Sequence, residues 1–176
     1  YNLPATFEFS QKYLFFWDKF ERVNYLLNVF EKHASERVDE RLLTFLLKDP
    51  ISDGGQWQMF VNLIEKYGLV PQDVYPENMH SENSAGLNMV LQKKIREYCR
   101  DIRMKNKNTS KREMLREVFA ILVQFLGRPP SEFSWEYLDK KSKYQSVHNL
   151  VVFGGVLRGE DWFLVSGWCS SGVNEL

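Results

Sequence analysis

The residues best suited to nucleophilic or acid–base chemistry are two cysteines and three histidines. Cys99 falls on the apolar stripe of a predicted helix, which favours a buried structural thiol over a catalytic one. Cys169 has no helix start behind it to lower its pKa, so we give it little weight as a nucleophile. The three histidines are far apart and have polar neighbours, which favours surface imidazoles over general bases or metal ligands: His33, His80 and His148.

Motifs for zinc binding, serine hydrolysis and phosphate binding do not occur in the sequence. We find no His-x₃-His, Cys-x₂-Cys or Gly-x-Ser-x-Gly pattern and no glycine-rich phosphate loop. The sequence therefore indicates no metal and no cofactor. Judged by side-chain chemistry alone, the chain is not a complete enzyme.

The adjacent glycines in Asp53-Gly54-Gly55 precede a predicted helix. Because glycine has no Cβ, two glycines in a row allow another backbone to approach closely. One interpretation is an edge at which a substrate peptide pairs its main chain with this segment. The other is an ordinary tight turn, which the spacing alone favours.

A basic segment runs from Lys93 to Arg116, with ten basic and three acidic residues in a chain whose net charge is zero. Such a segment could bind the phosphates of a nucleic acid, and the candidate contacts are Arg100, Arg103, Lys105 and Lys107. A solvated helix face followed by a linker is the more ordinary explanation.

The composition restricts the class of protein. With 44% hydrophobic and 15% aromatic residues the chain can bury a core, which excludes a wholly disordered protein. Two cysteines cannot form a disulfide framework, so a reduced intracellular protein is expected. No apolar run is long enough to cross a bilayer, and no membrane partner is expected. Because the first residue is Tyr1, we expect a processed chain or a piece of a longer one.

Apolar residues at three- and four-residue steps predict helices that position these residues. The first follows the capping residue Ser10 and carries an unusually aromatic stripe, which we interpret as core. The other predicted helices are Asp39–Lys48, Gln56–Tyr67, Leu87–Met104 and a helix from the capping box Ser110–Glu113 to Gly127. Residues 70–76 are expected to be extended, 133–137 to form a strand, and 147–168 to contain a β-hairpin.

Several segments closely resemble the bleomycin hydrolase family of papain-like cysteine aminopeptidases. They include Phe-Ser-Gln-Lys-Tyr-Leu-Phe-Phe-Trp-Asp-Lys (9–19) and Asp-Gly-Gly-Gln-Trp-Gln-Met-Phe-Val-Asn (53–62). Others are Glu-Lys-Tyr-Gly-Leu-Val-Pro (65–71), Tyr-Pro-Glu (75–77) and Leu-Gly-Arg-Pro-Pro-Ser-Glu-Phe-Ser-Trp-Glu-Tyr (126–137). The resemblance extends from about Thr6 to Tyr144.

This resemblance implies a cytoplasmic thiol protease that hydrolyses N-terminal residues of peptides and assembles as a homohexamer. It also implies a papain-like fold in which the Gly-Gly turn lines the substrate cleft through main-chain hydrogen bonds. On this ground we prefer substrate contact for Gly54 and Gly55, and we expect Trp57 to pack under the cleft.

The resemblance supplies no catalytic residue within this chain. The family's oxyanion Gln and nucleophilic Cys precede the segment that matches residues 9–11, and its His and Asn come from a later, β-rich part. Neither Cys99 nor Cys169 falls in the nucleophile motif, and His148 is not in the His motif. Gln11 and Gln56 do not match the oxyanion position.

We therefore expect a mainly α chain, the helical half of a papain-like α+β peptidase with the family's helical insertion and a short β-prone tail. The predicted divisions are a helical papain-like subdomain (1–77), a helical insertion ending in a strand (78–145) and a divergent tail (146–176). The chain alone is predicted to be inactive, because its catalytic residues lie elsewhere. The alternatives are a nucleic-acid-binding module and a non-catalytic variant that joins the oligomer of the complete enzyme.

Overall fold

The computed structural model describes residues 3–35, 41–51, 54–104, 110–139, 141 and 143–151. These ranges contain six helices and two strands: α1 (Gln11–Lys32), α2 (Arg41–Lys48), α3 (Trp57–Tyr67), α4 (Met79–Glu82), α5 (Ala85–Arg103), α6 (Lys111–Leu126), β1 (Glu132–Leu138) and β2 (Tyr144–Val151). The expectation of a mainly helical chain is confirmed. All five predicted helices are present, and the four-residue α4 is an addition to them.

Helix α1 is central to the fold, since α3, α5 and α6 all pack against it. Ser10 caps its first turn as predicted, accepting a hydrogen bond from the Tyr13 backbone N–H at 3.1 Å. The aromatic stripe is core, as expected, and its buried members are Tyr13, Phe16, Trp17, Phe20 and Phe30. The Trp17 ring stacks on the Tyr67 ring of α3 with the ring centroids 3.9 Å apart.

Helices α5 and α6 bury their apolar faces in the same core. Ser110 and Glu113 form the predicted capping box at the start of α6. Gly127 ends this helix at a φ of 83°, a backbone conformation that glycine adopts without strain. Buried residues of α5 and α6 belong to one cluster with those of α1 and α3. Helices on both sides of the predicted division at residues 77 and 78 therefore share a core.

The segment from Val70 to Tyr75 is a turn over most of its length, so the prediction of an extended segment at 70–76 is wrong. Pro71 forms a bridge with Phe9, but its carbonyl oxygen then accepts hydrogen bonds from the N–H groups of Val74 and Tyr75 at 3.1 and 3.4 Å. The turn buries Tyr75, whose hydroxyl donates to the carbonyls of Leu126 and Gly127 at 2.9 and 2.7 Å. These distant contacts override the local preference of the two prolines.

Strands β1 and β2 form an antiparallel hairpin. The alternation predicted for residues 133–137 is confirmed, because Trp135 is buried while Glu132, Ser134 and Glu136 are exposed. The Trp135 ring lies 5.3 Å from the ring of Phe7. The expected hairpin at 147–168 lies mostly outside the described residues; of that segment, 147–151 belong to β2 and pair with β1.

Candidate functional site

A groove of about 850 Å³ lies beside the two adjacent glycines. It is bounded by α1, by α2 and the residues after it, and by the segment that leads into α3. The lining is largely apolar, and its apolar members are Tyr25, Leu26, Phe45, Leu46, Pro50 and Met59. The other lining residues are the two glycines, Gly54 and Gly55, and four polar residues: Arg22, Lys48, Asp49 and Gln56. The groove therefore combines an apolar surface with an accessible stretch of main chain.

Two cations of α1 hold the segment that carries the glycines. The fully buried Lys19 donates from its Nζ to the Ile51 carbonyl oxygen at 3.5 Å. One turn further along the helix, Nη2 of Arg22 donates to the Gly54 carbonyl oxygen at 2.5 Å, and its Nε donates to Oδ2 of Asp18 at 2.7 Å. Because a buried or half-buried cation needs such acceptors, both residues attach the segment to α1.

The two glycines differ in the space around them. Among the described residues, a Cβ built on Gly54 has no heavy atom within 4 Å, whereas one built on Gly55 meets Nη2 of Arg22 at 3.4 Å. No hydrogen bond within the described part of the chain uses the N–H or the carbonyl of Gly55. Both glycines are exposed. Among the described residues, packing therefore gives no reason for a glycine at position 54, and the N–H of Gly55 has no hydrogen-bond partner there.

A buried polar cluster joins α1 to α3, the helix that follows the glycines. The carboxylate of Glu21, 3% exposed, accepts hydrogen bonds from the Tyr67 hydroxyl and from Nζ of Lys66, the latter at 2.6 Å. Burial, and then the negative charge of Glu21, raise the pKa of Tyr67 far above its usual value, so this hydroxyl stays a donor. The cluster fixes α3 relative to α1 and with it the far wall of the groove.

A family model described as the Peptidase C1-like family matches residues 1–153. The chain belongs to this family. The match confirms the resemblance identified in the sequence, and it extends beyond Tyr144, where that resemblance was expected to end.

Relatives of this Peptidase C1-like chain are named bleomycin hydrolase and aminopeptidase C. It is 47% identical over 154 residues to bleomycin hydrolase of Gallus gallus, covering 82% of this chain and 34% of that protein. It is 44% identical to aminopeptidase C of Listeria monocytogenes, covering 79% of this chain and 33% of that protein. The crystal structure of PepW from Lactobacillus rhamnosis is similar with a TM-score of 0.78 and 40% identity, covering 84% of this chain and 35% of that one. The chain thus spans about a third of the length of these relatives.

One expectation about the groove of the Peptidase C1-like chain is wrong. Trp57 does not pack under the cleft, because its side chain is 75% exposed and its ring lies 5.2 Å from that of the partly exposed Phe60. Trp57 occupies the first position of α3, immediately after Gln56, and the core-facing positions of this helix belong to Leu63 and Tyr67. The helical phase thus directs Trp57 away from the core.

The basic segment of the Peptidase C1-like chain brings three arginines together near the end of α5. Arg96, Arg100 and Arg103 line a second pocket of about 590 Å³, together with Leu47, Cys99 and Met104. Nη2 of Arg96 donates to the Leu47 carbonyl oxygen at 3.5 Å. Of the four predicted nucleic-acid contacts, the two in the described residues therefore face one pocket; Lys105 and Lys107 lie outside the described residues.

Within the described part of the chain, the remaining candidates for chemistry are not assembled into a site. Cys99 is buried, and burial raises its pKa while Arg103 opposes this, as expected for a structural thiol. The ring of His80 lies 5.0 Å from that of Phe125, and Nε2 of the exposed His148 is 2.7 Å from the Ser146 hydroxyl. Cys169 lies outside the described residues. Within the ranges that the structure covers, no three His, Cys, Asp or Glu residues are grouped as a metal site requires.

None of the helices in the described part of the chain combines the length and the apolarity that a membrane crossing requires.

Arg22 is a groove residue whose role the sequence did not reveal. Asp18 and Arg22 are four residues apart on a predicted helix, which is enough to predict their pairing. The contact between Arg22 and Gly54 joins residues 32 positions apart. No local pattern predicts such a contact.

Proposed function

We propose that the chain forms the peptide-binding wall of a cysteine-type aminopeptidase of the bleomycin hydrolase type. The backbone of Gly54 and Gly55 binds the main chain of a peptide substrate, and the apolar groove beside them accommodates its side chains. The observation that carries this proposal is the Gly55 N–H, exposed at the edge of the groove and without a partner in the described residues. The names of the relatives, bleomycin hydrolase and aminopeptidase C, support the same substrate class.

The chemistry of this proposed enzyme belongs to residues outside the chain. A cysteine peptidase needs a thiolate paired with an imidazole and donors for the oxyanion. Cys99 is buried away from the groove lining, and neither Gln11 nor the histidines line the groove. We therefore propose that the 176 residues supply no catalytic residue and no cofactor site. The helical insertion at 78–145, the tail at 146–176, the homohexamer and the cytoplasmic location belong to the same proposal.

Gly54→Ala is expected to weaken peptide binding without weakening the fold. The methyl group enters open space among the described residues, so the free energy of unfolding should change by no more than about 0.5 kcal/mol. A peptide main chain that lies against this segment would collide with it, and its affinity should fall about tenfold. The measurement is an NMR titration of the ¹⁵N-labelled chain with the pentapeptide Ala-Leu-Ala-Leu-Ala.

The matched control for this variant is Gly86→Ala. A Cβ at Gly86 lies 3.9 Å from the Phe125 ring, an ordinary contact, and the residue is in the first turn of α5. This variant should bind the pentapeptide as the wild type does. Equal affinities for all three proteins would show that the peptide does not lie against Gly54.

We propose nucleic-acid binding by the basic segment as the second candidate function, favoured by the three arginines around one pocket. The double variant Arg100→Ala/Arg103→Ala should weaken binding to a single-stranded DNA oligonucleotide. Two lost phosphate contacts should also reduce the slope of log affinity against log salt concentration by about 1.4. Arg128→Ala, at an exposed position after α6, is the control. An affinity that does not depend on salt would exclude this function.

A further inference from the structure

Arg22 holds the Gly54 carbonyl through a fixed geometry. Its guanidinium donates from Nη2 to the Gly54 carbonyl oxygen and from Nε to Asp18, and the side chains of Arg22 and Asp18 are only 15% and 21% exposed. A guanidinium is planar, so its two donors keep a fixed angle to each other. Asp18 therefore fixes the orientation of the guanidinium, and the guanidinium fixes the position of the carbonyl.

The carbonyl of Gly54 and the N–H of Gly55 belong to the same peptide unit. This unit is trans, as are all the others that the structure describes, so the two groups point in opposite directions. Since Arg22 holds the carbonyl toward α1, the Gly55 N–H points away from α1. That N–H has no partner among the described residues.

We infer that Arg22 is a positioning residue, which presents the Gly55 N–H to the main-chain carbonyl of a bound peptide. This inference rests on the proposed function, because it assigns a role to Arg22 in the binding of the same substrate class. Without the guanidinium, the peptide unit between two glycines would be free to rotate, since neither residue has a Cβ to restrict it. Asp18 acts on the peptide only through Arg22.

The test compares pentapeptide binding by the wild type, Arg22→Ala, Arg22→Lys and the exposed control Arg128→Ala. The probe is Ala-Leu-Ala-Leu-Ala, and the readout is the shift of the Gly55 amide in the ¹⁵N-labelled chain. Arg22→Ala should lower the affinity about fivefold, the worth of one oriented hydrogen bond. Arg22→Lys keeps the charge, but a single ammonium cannot reproduce the planar fork, so we expect a similar loss. Arg128→Ala should bind as the wild type does.

A second readout follows the hydrogen bond from Arg22 to the Gly54 carbonyl in the absence of a peptide. The carbonyl ¹³C shift of Gly54 reports whether its oxygen accepts a hydrogen bond, and it should move in both Arg22 variants. If Arg22→Ala fails to fold, Asp18→Ala releases the guanidinium while retaining Arg22. It should show the same lower affinity for the pentapeptide and the same movement of the Gly54 carbonyl shift.

The possible outcomes distinguish peptide binding at the two glycines from the positioning role of Arg22. If the peptide shifts the Gly55 amide with equal affinity in the wild type and the Arg22 variants, the positioning role is wrong and the proposed function stands. If the peptide does not shift the Gly55 amide of the wild type, the proposed function is wrong and the positioning role with it. Weaker binding in both Arg22 variants, with a moved Gly54 carbonyl shift, supports both.

Discussion

Raising the pH from about 10 to about 11 is expected to unfold the chain, because four buried tyrosine hydroxyls resist ionisation in the folded state. Each hydroxyl donates to a group that only accepts: Tyr13 to the Tyr67 carbonyl, Tyr67 to Glu21, Tyr75 to two carbonyls and Tyr98 to Glu117. A phenolate would lose its donor and face the negative end of its partner. Burial raises the pKa of all four, that of Tyr13 to about 12.

The direction in which the free energy of unfolding changes with pH follows from the number of protons that each state binds. Between about pH 10 and the raised folded values, the unfolded chain loses four tyrosine protons that the folded chain retains, so the tyrosine contribution to the free energy of unfolding decreases as the pH rises. Each retained proton contributes about 1.4 kcal/mol per pH unit, which gives about 5 kcal/mol per unit for four. This is comparable with the total stability of a typical domain. Below about pH 9 these tyrosines are protonated in both the folded and the unfolded chain, so they should contribute almost nothing to a change of stability with pH.

Two lysines change the slope of the free energy of unfolding against pH in opposite directions. Burial lowers the pKa of Lys12, so its contribution to stability increases with pH. The hydrogen bond to Glu117 raises the pKa of Lys94, so its contribution decreases with pH. Because the effects of the two lysines oppose each other, the tyrosines determine whether stability rises or falls with pH.

Urea unfolding at a series of pH values, combined with near-ultraviolet absorbance of tyrosinate, measures the effect. Tyr67→Phe removes one of the four hydroxyls and should reduce the slope by about a quarter. Tyr144→Phe alters a side chain that is 83% exposed and is the matched control. A folded chain whose tyrosines all ionise near pH 10 would disprove the argument.

Glu21→Ala is expected to lower the free energy of unfolding by about 3 kcal/mol. The substitution removes the acceptor of the Tyr67 hydroxyl, of Lys66 Nζ and of the Asn24 amide. The hydroxyl is then left buried without a partner, and the Lys66 ammonium, whose side chain is 17% exposed, is left without its counter-ion. Because this cluster joins α1 to α3, the wall of the groove should loosen with it.

Urea unfolding near neutral pH measures this loss. Glu21→Gln retains an acceptor for the Tyr67 hydroxyl and removes the charge, so we expect a smaller loss of about 1 to 2 kcal/mol. Glu65→Ala, an exposed carboxylate on α3, is the matched control and should change stability by no more than about 0.5 kcal/mol. Equal losses at Glu21 and Glu65 would show that the buried cluster contributes nothing.

The parts of the fold that could be predicted depend on neighbouring residues. Ser10 and Ser110 cap their helices through residues three positions away, and Gly127 ends α6 through its own backbone. The burial of Cys99 follows from its place on a helical stripe. Such features need only the helical or strand period and the chemistry of a cap.

The parts that could not be predicted depend on residues far apart in the chain. The turn at Pro71 is held by Tyr75 bonding to Leu126 and Gly127, some 50 positions away. Lys19 falls on a predicted helix that has other polar positions, and the Ile51 carbonyl that it contacts when buried lies 32 positions away. The groove itself was expected from Gly54 and Gly55, but its geometry requires the partner on α1.

The central claim is that this chain binds a peptide and leaves the chemistry to other residues. The most direct test is to titrate the wild-type chain with the pentapeptide and then to determine the mass of the recovered peptide. We expect amide shifts centred on Gly54 and Gly55 and a peptide recovered at full length. A peptide shortened from its amino terminus by the chain, with shortening blocked by a thiol alkylator, would contradict the account.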